Sequence, residues 1–284
     1  MAEFVLQFKE VSFSWDHDQP LLDRVSFGVQ PGECVALVGR NGAGKSTLLK
    51  LASGLLKPAA GCVTLGDMDT AHTRAPKLAR SVSLMFQEAE RQISHDSIVD
   101  EVAFAPRMAG FDAAEVQRRV SRALNLAGLV GKANDHPLDL NGGERRMLTL
   151  ASLIAQDTPL VLLDEPTRDF DAHLLDLFES WMKSALGAGT AIVFISHDLD
   201  FVARHAKRVL HMDGGEIAAD GDVSSVLAHP DLQELSPMSA PTLPALCRAL
   251  NVRATTRLED FEHLWRERLH SEGWVLGQDV NQRV

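Results

Sequence analysis

The run Gly39-Arg40-Asn41-Gly42-Ala43-Gly44-Lys45-Ser46-Thr47 concentrates more chemistry than any other stretch of the sequence. It satisfies the spacing G-x-x-x-x-G-K-[ST] at every fixed position. Glycines at that spacing allow a tight turn in which consecutive backbone N–H groups converge on an anion. A helix opening at the end of the turn directs its positive pole at the same point. Lys45 then reaches the β and γ phosphates of a nucleotide, and the Ser46 hydroxyl is a ligand for Mg²⁺. A turn with no ligand has no use for Lys and Ser directly after its last glycine, so the loop reads as a phosphate site.

Further positions complete a site for transferring a phosphoryl group to water. Asp164-Glu165 closes the apolar run Leu160-Val161-Leu162-Leu163. Asp164 is suited to hold Mg²⁺ through water, and Glu165 to polarise the attacking water. An acidic strand end that merely caps the next helix is the plainer alternative, and the complete phosphate loop upstream argues against it. His197 follows the next apolar run, Ala191-Ile192-Val193-Phe194-Ile195, and in that order is suited to contact the γ-phosphate and orient the water. Trp15 ends a β-prone run; it offers a face for stacking on a purine ring, or else fills a core or edge position.

Positioning these groups requires strands that end side by side. Cys34-Val35-Ala36-Leu37-Val38, Val82-Ser83-Leu84-Met85-Phe86, 160–163 and 191–195 are short apolar runs of the kind buried on both faces of a parallel sheet. Helices over about 45–56 and 172–187 alternate with them, giving an α/β fold. Runs at 4–8, 11–15 and 25–29 read as an antiparallel sheet laid against the nucleotide site. Pro58 and Gly61 close the first helix region, and Cys62-Val63-Thr64-Leu65 is a further strand. Between about 92 and 155 the pattern is helical: Val116, Val120, Leu124 and Ala127 share one face. Asp112 is its N-cap, with Glu115 as capping-box partner. Pro137 interrupts, and a second helix starts near Gly143. Asp213-Gly214-Gly215 is a hairpin turn. Beyond Ala228, prolines 230, 237, 241 and 244 punctuate a linker, followed by helical pieces at about 242–250 and 257–271.

The 284 residues carry 28 basic and 39 acidic side chains, a net charge of −11 that argues against nucleic acid as a partner. Three scattered cysteines, Cys34, Cys62 and Cys247, form no C-x-x-C and fit a reducing cytoplasm. The opening residues lack a signal-peptide pattern, and no apolar run approaches the roughly 20 residues of a membrane span. Any membrane role therefore needs a separate partner.

With these residues in this order, the chain resembles the nucleotide-binding subunits of ATP-binding-cassette (ABC) transporters over about residues 4–228. The matching elements are the aromatic Trp15, the loop 39–47, Gln87 after its strand, Leu140-Asn141-Gly142-Gly143-Glu144, the acidic pair, the loop 168–171 and His197. Within that family it is most similar to the ATPase subunits of energy-coupling-factor importers, which serve vitamins and metal ions such as cobalt and nickel. That likeness rests on Phe86-Gln87-Glu88-Ala89-Glu90-Arg91-Gln92-Ile93, on Val99-Asp100-Glu101-Val102-Ala103-Phe104-Ala105-Pro106, and on the tail 241–250.

The resemblance implies a P-loop NTPase cassette over 1–228. Its parts are a RecA-like parallel core, an N-terminal antiparallel β subdomain and a helical signature subdomain; 229–284 is a small helical extension. It implies ATP as substrate with Mg²⁺, bound by Trp15, Gly39 and the loop Asn41 to Thr47. Mg²⁺ falls to Ser46, Gln87 and Asp164, and the hydrolytic roles to Glu165, His197 and Gln87. A second ATP-binding subunit would receive Asn141, Gly142, Gly143 and Glu144 over its own nucleotide. Transmembrane subunits would hold the chain peripherally at the cytoplasmic face of the cell membrane. Another importer or exporter class, or a soluble ABC ATPase of iron–sulfur assembly, are the rival readings.

Two stretches depart from the family pattern. The usual Leu-Ser-Gly-Gly-Gln is here Leu140-Asn141-Gly142-Gly143-Glu144, and Glu144 brings a negative charge near the place of a triphosphate, with Arg145 and Arg146 to offset it. Arg168-Asp169-Phe170-Asp171 carries a bulky Arg168 where small residues are usual. Both suggest hydrolytic residues that are intact beside a weakened signature face.

Overall fold

The computed structural model describes residues 4–16, 20–227 and 258–271, with single positions 243, 246, 247, 250, 252, 253 and 255 between the last two. Strands β1 (Leu6–Phe13), β2 (Leu22–Val29), β3 (Cys34–Gly39), β4 (Ala60–Leu65), β5 (Met68–Asp69) and β6 (Val82–Met85) are joined by helices α1 (Lys45–Ala52) and α2 (Ala75–Leu78). Helices α3 (Ile98–Met108), α4 (Ala113–Leu126) and α5 (Gly142–Gln156) follow. Then come β7 (Leu160–Asp164), α6 (Ala172–Gly187), β8 (Ala191–Ile195), α7 (Leu199–His205), β9 (Arg208–Asp213), β10 (Glu216–Asp222), α8 (Val223–Leu227) and α9 (Leu258–Ser271).

An antiparallel sheet runs β2-β1-β4-β5, and a second sheet runs β10-β9-β3-β8-β7-β6. The second is parallel from β9 to β6. Its apolar runs lack alternation because both faces are covered. In β3, Cys34, Ala36 and Val38 enter a core shared with α3, α4, α5 and α6. Val35 and Leu37 point the other way, into a core shared with the antiparallel sheet and α1. Strands β7 and β8 divide in the same manner.

The runs 4–8 and 11–15 are one strand. Between them the register with β2 shifts, and Glu10 adopts φ 48, a bulge that turns two polar residues outward without ending the strand. The Glu10 N–H donates to Ser26 Oγ at 2.8 Å, and that hydroxyl donates to Glu10 Oε1 at 2.9 Å. Gly61 does not terminate an element either. It lies inside β4 against the bulge, where a Cβ would stand 2.2 Å from the Glu10 carbonyl oxygen.

The helical segments follow their caps. Asp112 accepts from the Glu115 N–H at 2.9 Å, as expected of an N-cap. The Glu115 carboxylate binds Arg118 and Arg119. Pro137 opens a single 3₁₀ turn before α5. At the C-terminal end, α9 matches the helix expected at 257–271. The proline-rich linker, and all of 242–250 except positions 243, 246, 247 and 250, lie outside the described residues.

Candidate nucleotide site

Three neighbouring strands bring the chemistry together. β3 pairs with β8 and β8 with β7, in a register that sets Leu37 and Asp164 on either side of Ile195. The loops leaving their C-terminal ends therefore open into one space. That space is a cavity of about 280 Å³ lined by Asn41, Gly42, Gly44, Lys45, Ser46, Thr47, Gln87, Asp164, Glu165 and His197, with Leu21 and Ile195 as apolar walls. Leu21, which carries no signal in the sequence, reaches the site from the position just before β2.

The loop has the backbone its glycines permit. At Gly39, with φ 141, a Cβ would lie 2.1 Å from the Met212 carbonyl oxygen, so no other residue fits. Lys45 is buried, and its ammonium donates to the carbonyls of Gly39 at 2.7 Å and Arg40 at 2.9 Å. Burial lowers its pKa, and the nearby Glu165 and Asp164 carboxylates work against that. The Ser46 hydroxyl donates to the Asp164 carboxylate, which burial pushes above the ordinary range while Ser46 and Lys45 pull it back. A hydroxyl and a carboxylate side by side are hard oxygen donors of the kind Mg²⁺ takes. Among the described residues no cluster of three or more His, Cys, Asp or Glu forms a metal cage.

Glu165 follows in a left-handed conformation, φ 50, anchored by its N–H to the Ile195 carbonyl at 3.1 Å. Burial raises its carboxyl to about 7. Its Oε2 accepts from the His197 N–H at 3.4 Å, and its Oε1 lies 3.3 Å from His197 Nε2. Burial lowers the imidazole's pKa, and so does the charge of Lys45, so His197 is predominantly neutral at pH 7. A carboxyl titrating near neutrality, beside a neutral imidazole, matches the proton affinity a general base needs.

Trp15 and the signature residues do not line this cavity. Trp15 is 61% exposed and meets Phe13 edge-on, with ring centroids 5.1 Å apart, so it is a surface aromatic and not core. Asn141 to Glu144 start α5 and pack against the 168–171 loop instead. Gly143 is tightly fitted there, since a Cβ would come within 2.6 Å of the Asp169 carbonyl oxygen and 2.7 Å of a Leu174 methyl. Asp169 itself has φ 65. Arg168 stays largely in solvent, and Asp171 caps α6 by accepting from the Leu174 N–H at 2.8 Å.

The two signature departures prove to be partners. Asn141 Oδ1 accepts from the Glu144 N–H at 2.9 Å, and Glu144 Oε2 accepts from the Asn141 N–H at 3.1 Å, a complete capping box. The other carboxylate oxygen meets Lys132 Nζ at 2.6 Å, an ion pair that holds the Glu144 carboxyl below its ordinary pKa. The offset expected from Arg145 and Arg146 is thus supplied by Lys132. Arg145 donates to the Leu140 carbonyl, and Arg146 is buried between Gln87 and Glu165, donating to both carbonyls at 3.0 Å. Lys132 carries no sequence signal, because a charged residue in a polar-rich helical stretch ordinarily reads as solvated, and the sequence gives Arg146 only the role of a charge offset.

Comparison with known proteins matches residues 22–168 to the family model described as "ABC transporter". An ABC transporter ATP-binding protein of Pyrococcus furiosus is 32% identical over 90% of this chain and 97% of its own length. One from Geobacter sulfurreducens is 32% identical over 82% of this chain and 92% of its length. In a Photobacterium profundum relative, 31% identical, the chain spans only 47% of the length. Among solved structures, CbiO1 of Clostridium perfringens, part of the CbiONQ transporter complex, shares the fold. Its TM-score is 0.72 at 24% identity, covering 93% of this chain and 99% of that one. A dimeric bacterial ABC transporter cassette gives a TM-score of 0.70 at 24% identity, over 77% and 98%.

Proposed function

We propose, for a chain that belongs to the ABC transporter family of ATP-hydrolysing proteins, the role of energising subunit in an importer of the energy-coupling-factor type, carrying a vitamin or a transition-metal ion. The observation that carries the hydrolytic part is the convergence of Lys45, Ser46, Asp164, Glu165, His197 and Gln87 on one cavity. Support for the importer type comes from the runs 86–93 and 99–106 and from the likeness to CbiO1 across nearly the whole of both chains. The reading takes 1–228 as the cassette, with about 92–155 as its helical subdomain and 229–284 as an extension.

In this reading the N–H groups of the loop and of the first turn of α1 cradle the triphosphate, with Lys45 turning from the Gly39 and Arg40 carbonyls to phosphate oxygens. Ser46, Asp164 and Gln87 would hold Mg²⁺, which neutralises phosphate charge when bound. Glu165, ionised at and above neutral pH, takes the proton of the water, and His197 holds that carboxylate and the water in line. Trp15 is the stacking face for the base. The capped start of α5 faces a second ATP-binding subunit, and nucleotide between the two favours the closed pair because it makes contacts there that the open pair lacks.

The membrane partner has a fitting surface. A groove of about 640 Å³ runs between α2, α3 and α5, with Phe104, Met108 and Phe111 exposed along it. Contiguous exposed apolar side chains of this kind mark interaction surfaces, and the run 99–106 forms one wall. Among the described residues no helix is long and apolar enough to cross a membrane, so the chain would attach peripherally, at the cytoplasmic face.

The test is purification from membranes. The chain is expected to co-purify with a multi-helix membrane protein, and Met108→Glu to abolish that association while leaving ATP turnover within about twofold of wild type, as for a surface change away from the site. Recovery with ribosomes or DNA alone refutes the transport reading. Uptake of labelled cobalt, nickel or a vitamin by the reconstituted complex decides the importer type.

A further inference from the structure

Arg146 stands near the start of α5 and is 3% exposed. An arginine so deeply buried is retained where its donors are matched. Here they are matched by backbone. Nη1 donates to the Glu165 carbonyl and Nη2 to the Gln87 carbonyl, each at 3.0 Å, while the Asp169 carboxylate is 3.9 Å away and Nε has no partner. The side chain is therefore a fork between two main-chain oxygens more than it is half of an ion pair. Both acceptors belong to residues that line the nucleotide cavity, and neither belongs to α5.

The Glu165 end matters most, because its backbone is strained. A residue with a Cβ at φ 50 costs of order 1–3 kcal/mol and persists only where its surroundings fix it. Three hydrogen bonds to its main chain do so: the Glu165 N–H donates to Ile195, and the Glu165 carbonyl accepts from Arg146 at 3.0 Å and from the Arg168 N–H at a longer 3.4 Å. Without Arg146 the Glu165 carbonyl loses its charged donor inside a buried wall and keeps only the long bond from the Arg168 N–H. The Pro166 ring fixes the φ that follows, so the relaxation falls on the strained Glu165 backbone itself and shifts its carboxylate relative to His197.

We propose that Arg146 is a positioning residue for ATP hydrolysis, tying the start of helix α5 to the backbones of Glu165 and Gln87 so that these two cavity-facing residues keep their places together. The inference rests on the hydrolytic role of Glu165 given above.

The experiment compares wild type with Arg146→Met, Arg146→Lys and Glu165→Gln, measuring ATP affinity, kcat, KM and the melting temperature. Arg146→Met is expected to keep Kd and KM within about threefold while kcat falls at least about tenfold, the pattern of a group acting on the transition state. Arg146→Lys keeps a charged donor and reaches one carbonyl, so it should recover part of kcat with Kd and KM again within about threefold of wild type. A folded Arg146→Met with kcat within about twofold of wild type overturns the proposal, as does equality of the Met and Lys variants in kcat. Should the Met variant not fold, the Lys variant decides: reduced kcat at an unchanged melting temperature supports the proposal, and unchanged kcat overturns it. A slow Glu165→Gln beside a normal Arg146→Met removes this inference alone, whereas a fully active Glu165→Gln removes the hydrolytic reading beneath it.

Discussion

Glu165→Gln is expected to be slower and, at alkaline pH, more stable. The carboxyl stands at about 7 in the fold against an ordinary 4.5, chiefly through burial. At 1.36 kcal/mol for each tenfold change in proton affinity, that difference is worth about 3 kcal/mol. The sign follows from proton counting. Between pH 4.5 and 7 the folded chain holds a proton that the unfolded chain has released, so stability falls as pH rises through this window. The group is harmless below the unfolded value and exacts its full cost above the folded one. Glutamine keeps the shape, still accepts from the His197 N–H, and carries no charge to bury. Without nucleotide, the variant should gain about 3 kcal/mol at pH 8.5, equivalent to about 6–12 °C in melting temperature for a chain of this size, and almost nothing at pH 4.5. Turnover should fall by about 10²- to 10⁴-fold, the usual contribution of a general base. Paired thermal melts at the two pH values, with phosphate release at pH 8, make the assay. An equal gain at both pH values would refute the argument from burial, and a wild-type rate would remove Glu165 from the reaction.

Asn141→Ala should cost about 1 kcal/mol through loss of the α5 cap, read from denaturant midpoints. Glu144→Gln loses the partly exposed Lys132 pair, which is worth under about 1 kcal/mol at pH 7. The Glu144 pKa is depressed in the fold, so this contribution is fully present above the ordinary value of 4.5 and is lost as pH falls from there through the lower folded value. Because that carboxylate is already engaged, Asn141→Ser with Glu144→Gln should leave ATP turnover within about twofold; a large rise would restore the idea of a weakened signature face. Gly143→Ala drives a methyl against Asp169 and Leu174 and should destabilise the chain by about 1–3 kcal/mol, measured by urea unfolding.

Much of this architecture could be read from the chain alone. The strands at 160–163 and 191–195 were legible because fully apolar runs act locally, and the helix at 172–187 because it alternates with them. The phosphate loop and acidic pair were legible because their chemistry dictates residue type at fixed spacing. What stayed hidden depends on contacts between distant segments. The bulge at Glu10 split one strand into two apparent runs, since polar residues turned outward look like a loop. Gly61 read as a terminator because its reason, the close approach of the Glu10 carbonyl, belongs to another strand. Arg146 reads in sequence only as a charge beside Glu144, and Lys132 as a solvated charge, until the fold sets carbonyls 19 and 59 residues away against one and a carboxylate against the other.

The place of β3 in its sheet has a consequence for how the chain comes into being. Its neighbours are β8 and β9, so Cys34 waits for Ile192 and Val35 for Arg208. A ribosome presents the phosphate loop early, yet neither of these partners for its strand emerges until most of the chain has been made. The nascent loop strand is apolar and unpaired during that interval, and pairings across such a separation form slowly. Nucleotide affinity should therefore arise late in synthesis and all at once, when the last parallel strands dock. A product released before residue 191 would carry an intact phosphate motif with no sheet to hold it.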